Sequence, residues 1–187
     1  TLLLRDTLEG VVTDNNEIVS QKIGDRVFQF VAGEFFQNNP YILEDFVNYG
    51  VSQAEAPGID YMVDAYCGVG VFAICAKDRF EKIMGIEVNA NAIRYANANA
   101  TINGASNCSF RVGSAEAIFS GLTFPAGNTA VLIDPPRKGC DEAFLEQLCA
   151  YAPQRLVYVS CGPDTQARDL KYLLANGYKL ERMQPFD

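Results

Sequence analysis

Beyond Gly58, short apolar runs alternate with segments whose apolar residues recur at helical spacing, and this alternation limits the possible folds more than any other feature. The runs are Tyr61–Ala65, Lys82–Ile86, Cys108–Val112, Ala130–Ile133, Leu156–Val159 and Tyr178–Met183. Nearly continuous apolar character over so few residues fits strands covered on both faces. Helical patterns lie between and after them at Phe72–Asp78, Ala90–Asn103, Glu142–Tyr151 and Thr165–Asn176, with Gly104 and Gly177 placed to cap two C-termini. Strands separated by helices pair as parallel neighbours through crossovers, so the expected architecture is one doubly wound α/β layer of six strands and four helices. Ahead of it, residues 1–36 read as two or three antiparallel strands turning at Asp14-Asn15-Asn16. A helix follows Asn39, carrying Ile42, Leu43, Phe46 and Val47, and QAEAPG at 53–58 breaks it.

Composition then removes whole classes of chemistry. The 187 residues include no His and no Trp. Ser-His and Cys-His couples, imidazole bases and His-ligated zinc or haem are therefore excluded, and no metal site is expected. A catalyst here must use Cys, Asp, Glu, Lys or Tyr. Residues that are 49% hydrophobic supply a real core, and the length suits one ordinary domain. No run approaches the roughly 20 apolar residues of a membrane helix, and TLLLRDTLEG lacks the layout of a signal peptide, so a soluble, intracellular protein with no membrane partner is expected. The six Cys have no regular spacing, which favours reduced thiols over disulfides. A net charge of −8 argues against wrapping nucleic acid by bulk charge and leaves local basic contacts open.

Four motifs carry chemistry. DAYCGVGVF at 64–72 lies where the first sheet strand meets a helix, and Gly68 and Gly70 let the backbone turn tightly toward a ligand. Without the third glycine of the dinucleotide fingerprint, the turn by itself could be only a tight connection. Glu87 sits about 20 residues on, at the end of the next strand, where a carboxylate can accept from both hydroxyls of a ribose; the pair points to an adenosine-containing cofactor. In LIDPPRKGCDE, 132–142, an apolar strand runs into Asp134 and two prolines that stiffen the exit from the sheet. Arg137 and Lys138 follow, and either suit a phosphate-bearing substrate or are solvated charges. In VYVSCGPDTQARDL, 157–170, Cys161 follows a strand directly, on the edge of the sheet where α/β ligands bind and near a helix start that favours thiolate.

FFQNN at 35–39, DAYCGVGVF, IEVNANAI, DPPRKG at 134–139 and SCGPDTQARD at 160–169 together resemble the RNA 5-methyluridine methyltransferases. Order and spacing match over roughly 26–187, and DPPRKGCDE with TQARD is most similar to the eukaryotic, fungal-like tRNA (uracil-5-)-methyltransferase branch. The resemblance implies a class I S-adenosylmethionine-dependent methyltransferase: a Rossmann-like doubly wound sheet with a short N-terminal β-hairpin region. It implies a β-rich segment over 1–36 and a catalytic domain over 37–187 that is truncated at its C-terminal end. It assigns Cys161 as nucleophile, and Gln37, Tyr66, Gly68, Gly70, Val71, Glu87, Ser114 and Asp134 to the cofactor side of the cleft. Val71 and Ser114 depart from the usual pattern, which has a polar residue at the first and Asp or Asn at the second. Gly162 likewise stands where Asn is common.

The implied reaction transfers methyl from S-adenosyl-L-methionine to carbon 5 of a uridine in RNA, tRNA ahead of other RNAs. Carbon 5 of uracil is a weak nucleophile until a thiolate adds to carbon 6, which gives Cys161 its role. A base must then remove the carbon 5 proton. In the family that base is a Glu beyond the last strand, and no residue before Asp187 matches it, so the sequence reads as a piece of the catalytic domain. A methyltransferase for another substrate, or a non-catalytic piece binding S-adenosylmethionine or RNA, remain the alternatives. Oligomeric state leaves no trace in the sequence.

Overall fold

Five of the six apolar runs form one sheet in a computed structural model, which describes residues 5–37, 39–113, 118–119 and 121–186. In chain order the elements are β1 (Arg5–Thr7), β2 (Gly10–Val12), β3 (Ile18–Ile23), β4 (Arg26–Val31), α1 (Leu43–Ala54), β5 (Tyr61–Ala65), α2 (Val71–Cys75), β6 (Lys82–Glu87) and α3 (Ala90–Ile102). They continue with β7 (Cys108–Val112), β8 (Thr129–Ile133), α4 (Glu142–Tyr151), β9 (Arg155–Tyr158) and α5 (Pro163–Ala175). The main sheet has the order β7-β6-β5-β8-β9, with every pairing parallel. The chain thus builds outward from β5 to one side and then, from β8, to the other.

Alternation along each strand assigns its side chains to two cores. Met62, Ala130, Leu132 and Ile83 join Phe72, Ile74, Val47 and Val51 under α1, α2 and α3. Val63, Ala65, Val131, Ile133 and Ile86 face Phe144, Leu148 and Leu173 under α4 and α5. A fully buried side chain such as Leu132 contributes about 1.5–3 kcal/mol, so the two-sided cover holds the central strands firmly. Phe110 lies flat where β6 offers no side chain: a Cβ on Gly85 would come within 2.6 Å of its Cε1.

The N-terminal region holds four short strands, more than the two or three expected, paired as the hairpins β1-β2 and β3-β4. Val19, Phe28 and Phe30 are buried in the same core as α1 and α3. Side-chain amides fasten this hairpin to α3. Fully buried Asn99 accepts from Gln29 N at 2.8 Å and donates to Gln29 O and Val69 O, both at 3.1 Å. One turn later Asn103 accepts from Val27 N and donates to Val27 O. The two amides thus pair with alternate residues of β4 as a neighbouring strand would.

Two further expectations fail. The Phe72–Asp78 helix stops at Cys75, where Lys77 N and Arg79 N turn to carbonyls three residues back and tighten the chain. Tyr178–Met183 is not a strand, and the six-stranded sheet has five strands. Leu180 and Met183 are 53% and 64% exposed, so the run offers no buried face, and no backbone ladder pairs with it among the described residues. An apolar pattern does not make a strand without a partner. Side chains hold the segment instead: Arg155 to Glu181 at 2.7 Å, and Phe186 edge-on to Phe46 and Tyr49.

Candidate active site

The strand order reverses between β5 and β8, and ligands of open α/β sheets bind at the carboxyl ends beside such a reversal. Here the strands end nearly level: Ala65 pairs with Ile86 and Ile133, and Ile133 with Tyr158. The glycine turn, Glu87, Asp134 and the Cys161 loop therefore emerge from one edge of the sheet.

Gly68 and Gly70 both have left-handed backbone, with φ of +52° and +87°, and Gly70 N closes the turn on Cys67 O at 2.8 Å. A Cβ at Gly68 would meet nothing within 4 Å, so space lies open above it; one at Gly70 would strike Phe110 at 3.0 Å. Beneath the turn, fully buried Asp64 accepts from Ala73 N at 2.9 Å and fastens the first turn of α2 to β5. Its Oδ1 has no hydrogen-bond partner among the described residues. Burial, aided by the nearby charges of Asp134 and Glu87, pushes its pKa up to about 8 against the Ala73 bond.

Glu87 is held in place from both sides, accepting from Gly68 N at 3.3 Å and Asn89 N at 2.9 Å. Each oxygen receives one backbone donor there, which leaves acceptor capacity for a diol. Across the turn, Gln37 Nε2 donates to Asp134 Oδ2 at 3.1 Å, uniting residues 97 positions apart. Burial lifts Asp134 to about 6 while the Gln37 bond opposes the shift. A poorly solvated carboxylate of this kind favours a cationic neighbour.

Cys161 is exposed on the loop between β9 and α5, in a recess of about 380 Å³ that Arg137, Gly162, Pro163, Asp164 and Thr165 also line. All six cysteines are free thiols, as the irregular spacing suggested. Burial pushes the other five up, to about 12 for Cys75, Cys108 and Cys140, which disfavours their thiolates.

The remaining expected residues divide. Val71 is the first residue of α2 with its side chain in the core, so only its backbone is offered to a ligand. Tyr66 has φ +65°, unusual for a non-glycine residue, and its ring packs on Phe144 at 5.3 Å. Ser114 lies outside the described residues. Lys138 pairs with Asp141 at 3.2 Å. Sequence reasoning missed Asp64 as a buried brace for the turn. It also gave no role to Arg168 and Asp169, although both stand in the quoted TQARD run; the signal was an Arg-Asp pair in the second turn of the helix that follows the nucleophile loop.

A parallel sheet in this order, reversing beside a glycine turn and a strand-end acid, places the chain among the class I methyltransferase folds. It superposes on the Pyrococcus abyssi tRNA (uracil-54, C5)-methyltransferase, solved with S-adenosyl-L-homocysteine, with a TM-score of 0.72 and 29% identity over 87% of this chain and 38% of that one. Within that class the chain belongs to the tRNA (uracil-5-)-methyltransferase family, whose profile matches residues 5–187. It is 45% identical over 205 aligned residues to the tRNA (uracil(54)-C(5))-methyltransferase of Schizosaccharomyces pombe, covering all of this chain and 38% of that protein. To the Saccharomyces cerevisiae protein of the same name it is 43% identical, covering 94% of this chain and 29% of that protein. The chain thus spans about a third of the length of these curated relatives.

Proposed function

We propose that the protein carrying this chain methylates carbon 5 of a uridine in tRNA with S-adenosyl-L-methionine, through a covalent bond between Cys161 and uracil carbon 6. The observation that carries this reading is Cys161 itself: the exposed thiol at the carboxyl edge of the sheet, beside Arg137, while three of the other thiols are buried and two half-buried. The names of the yeast and Pyrococcus relatives point to tRNA, and to position 54. Among the described residues no helix is long and apolar enough to cross a membrane, and no three acidic or thiol groups cluster to hold a metal ion.

The residues fit the cofactor. Open space above Gly68 and the remaining acceptor capacity of Glu87 suit an adenosine, with Gly70 and the Val71 backbone beside it, and the family resemblance assigns Tyr66 and Ser114 to the same side. The half-desolvated Asp134–Gln37 pair suits the cationic end. When bound, the cofactor supplies an electrophilic methyl on a sulfonium. The Cys161 thiolate adds to carbon 6, and the electron pair of the carbon 5–carbon 6 bond becomes available at carbon 5 for the methyl group. Loss of the carbon 5 proton to a base then re-forms the double bond and expels the thiolate. Arg137 borders the Cys161 recess, where it can face the phosphates of a uridine that has left its stack.

Incubation with tRNA carrying 5-fluorouridine tests the reading, because fluorine cannot leave as the proton does. The unsubstituted protein is expected to form a denaturation-resistant adduct mapped to Cys161, and Cys161→Ser to form none while still binding S-adenosylmethionine. An adduct that survives in Cys161→Ser overturns it.

A further inference from the structure

We infer that Asp169, working through Arg168, is the positioning residue that sets the 134–140 loop against Cys161. The consequence for reaction rate rests on the reading of Cys161 as nucleophile; the positional claim rests on geometry alone. Asp169 lies on α5 with no exposed surface, and both of its oxygens are fully used. Oδ2 accepts from Cys140 N and from Tyr158 Oη, each at 2.7 Å. Oδ1 accepts from Arg168 Nε at 2.9 Å and Nη2 at 2.7 Å. The same Nη2 donates to Lys138 O at 3.0 Å and Cys140 O at 3.1 Å. One turn earlier, Thr165 Oγ1 donates to Arg137 O at 3.0 Å.

Every loop atom held in this way is backbone, within three to six residues of Asp134. Cys161 stands two residues before α5 begins. One rigid helix therefore carries the thiol at its head and, along its first two turns, grips the loop that carries the buried carboxylate. Tyr158, on the strand leading into the Cys161 loop, closes the circuit. Gly139 shows how closely the parts meet: at φ +78°, a Cβ there would lie 2.6 Å from Arg168 Nη2 and 2.7 Å from Asp169 Oδ2.

Stability alone does not call for such an arrangement. Asp169 is fully buried but its partner Arg168 is 57% exposed, and an ion pair open to water on one side contributes only about 0–1 kcal/mol. What the carboxylate–guanidinium pair adds is register, fixing one N–H and two carbonyls of the loop. Misplacement of reacting groups by about 1 Å can cost about a hundredfold in rate.

The test compares the unsubstituted protein with Asp169→Asn, which loses an acceptor, and Arg168→Lys, which keeps the charge but loses the fork. Two readouts are taken: hydrogen exchange of the 137–140 amides, and kinetics with tRNA, including adduct formation on 5-fluorouridine tRNA. Faster exchange at 137–140, with kcat and adduct rate down at least tenfold and KM for S-adenosylmethionine within about twofold, supports the assignment. Unchanged exchange and adduct rate in folded Asp169→Asn, or in Arg168→Lys if the first fails to fold, overturns it. So does a loss in which KM and kcat worsen together in step with the melting temperature, the mark of a merely structural role. If 137–140 loosens in the variants while the unsubstituted protein forms no adduct, the positional claim stands and the Cys161 reading falls.

Discussion

Asn99→Ala removes the amide that joins the N-terminal hairpin to both α3 and the glycine turn. Three hydrogen bonds disappear, leaving Gln29 N, Gln29 O and Val69 O to find other partners. Each bond is worth about 1 kcal/mol net, and a buried group left unpaired costs about 1–3 kcal/mol. Gln29 is only half-buried and can recover part of that from water, whereas Asn99 itself is fully enclosed. The expected loss is thus about 3–5 kcal/mol, a large share of the roughly 5–15 kcal/mol that holds a domain folded. At about 2–4 °C per kcal/mol for a chain of this size, the melting temperature falls by on the order of 10 °C. Urea unfolding followed by circular dichroism, with thermal melts alongside, measures it. Thr101→Ala on the exposed side of the same helix serves as control and is expected within about 0.5 kcal/mol. A loss below about 1 kcal/mol for Asn99→Ala would refute the reasoning, since it would mean that water or a shifted β4 replaces the amide freely.

Three further outcomes follow from the same structure. Asp64 has its folded pKa raised from an ordinary 3.8 to about 8, so its contribution to stability is whole below about pH 4 and is lost as pH rises toward 8. The slope is up to about 1.4 kcal/mol per pH unit. Asp64→Asn is expected to remove that slope, and parallel stability–pH curves for the two proteins would contradict the assignment. Asp134, at about 6, must be ionised to favour a cationic cofactor, so S-adenosylmethionine affinity by calorimetry is expected to weaken up to about tenfold per pH unit below 6 and to level above it. Asp134→Asn is expected to flatten that profile. Limiting iodoacetamide is expected to label Cys161 well ahead of the other five thiols by peptide mass mapping, and even labelling would count against their sheltering.

The central strands were legible because β5 and β8 are covered on both faces, and burial of that kind writes itself into the sequence as short apolar runs, interrupted in β5 only by Asp64. Tyr178–Met183 alternates apolar residues with the charged Lys179, Glu181 and Arg182, a pattern that fits a strand only where a partner pairs with it, and pairing is a property of two segments, which one run cannot display. The glycine turn and Glu87 were readable from local chemistry, since strand ends in an α/β fold share one edge. The resemblance put Gln37 and Asp134 on one side of the cleft but gave no bond between them, because nothing near either residue signals a partner 97 positions away. Asp169 stayed hidden for a related reason: its main-chain partner at Cys140, 29 residues earlier, is a backbone N–H, and backbone groups leave no mark in composition. Asn99 and Asn103 look, in sequence, like polar residues of a solvated helix face.

The ring of Phe110 fills the volume that side chains would need at both Gly70 and Gly85. Those three positions behave as one steric unit spanning two strands and the mouth of the cleft. A methyl group at 85 becomes admissible only when 110 is cut down to a smaller residue, and the vacancy then opened lies directly under the glycine turn. Engineering that enlarges this end of the pocket is therefore best begun at 110, beneath the glycine turn that a bound nucleoside would touch.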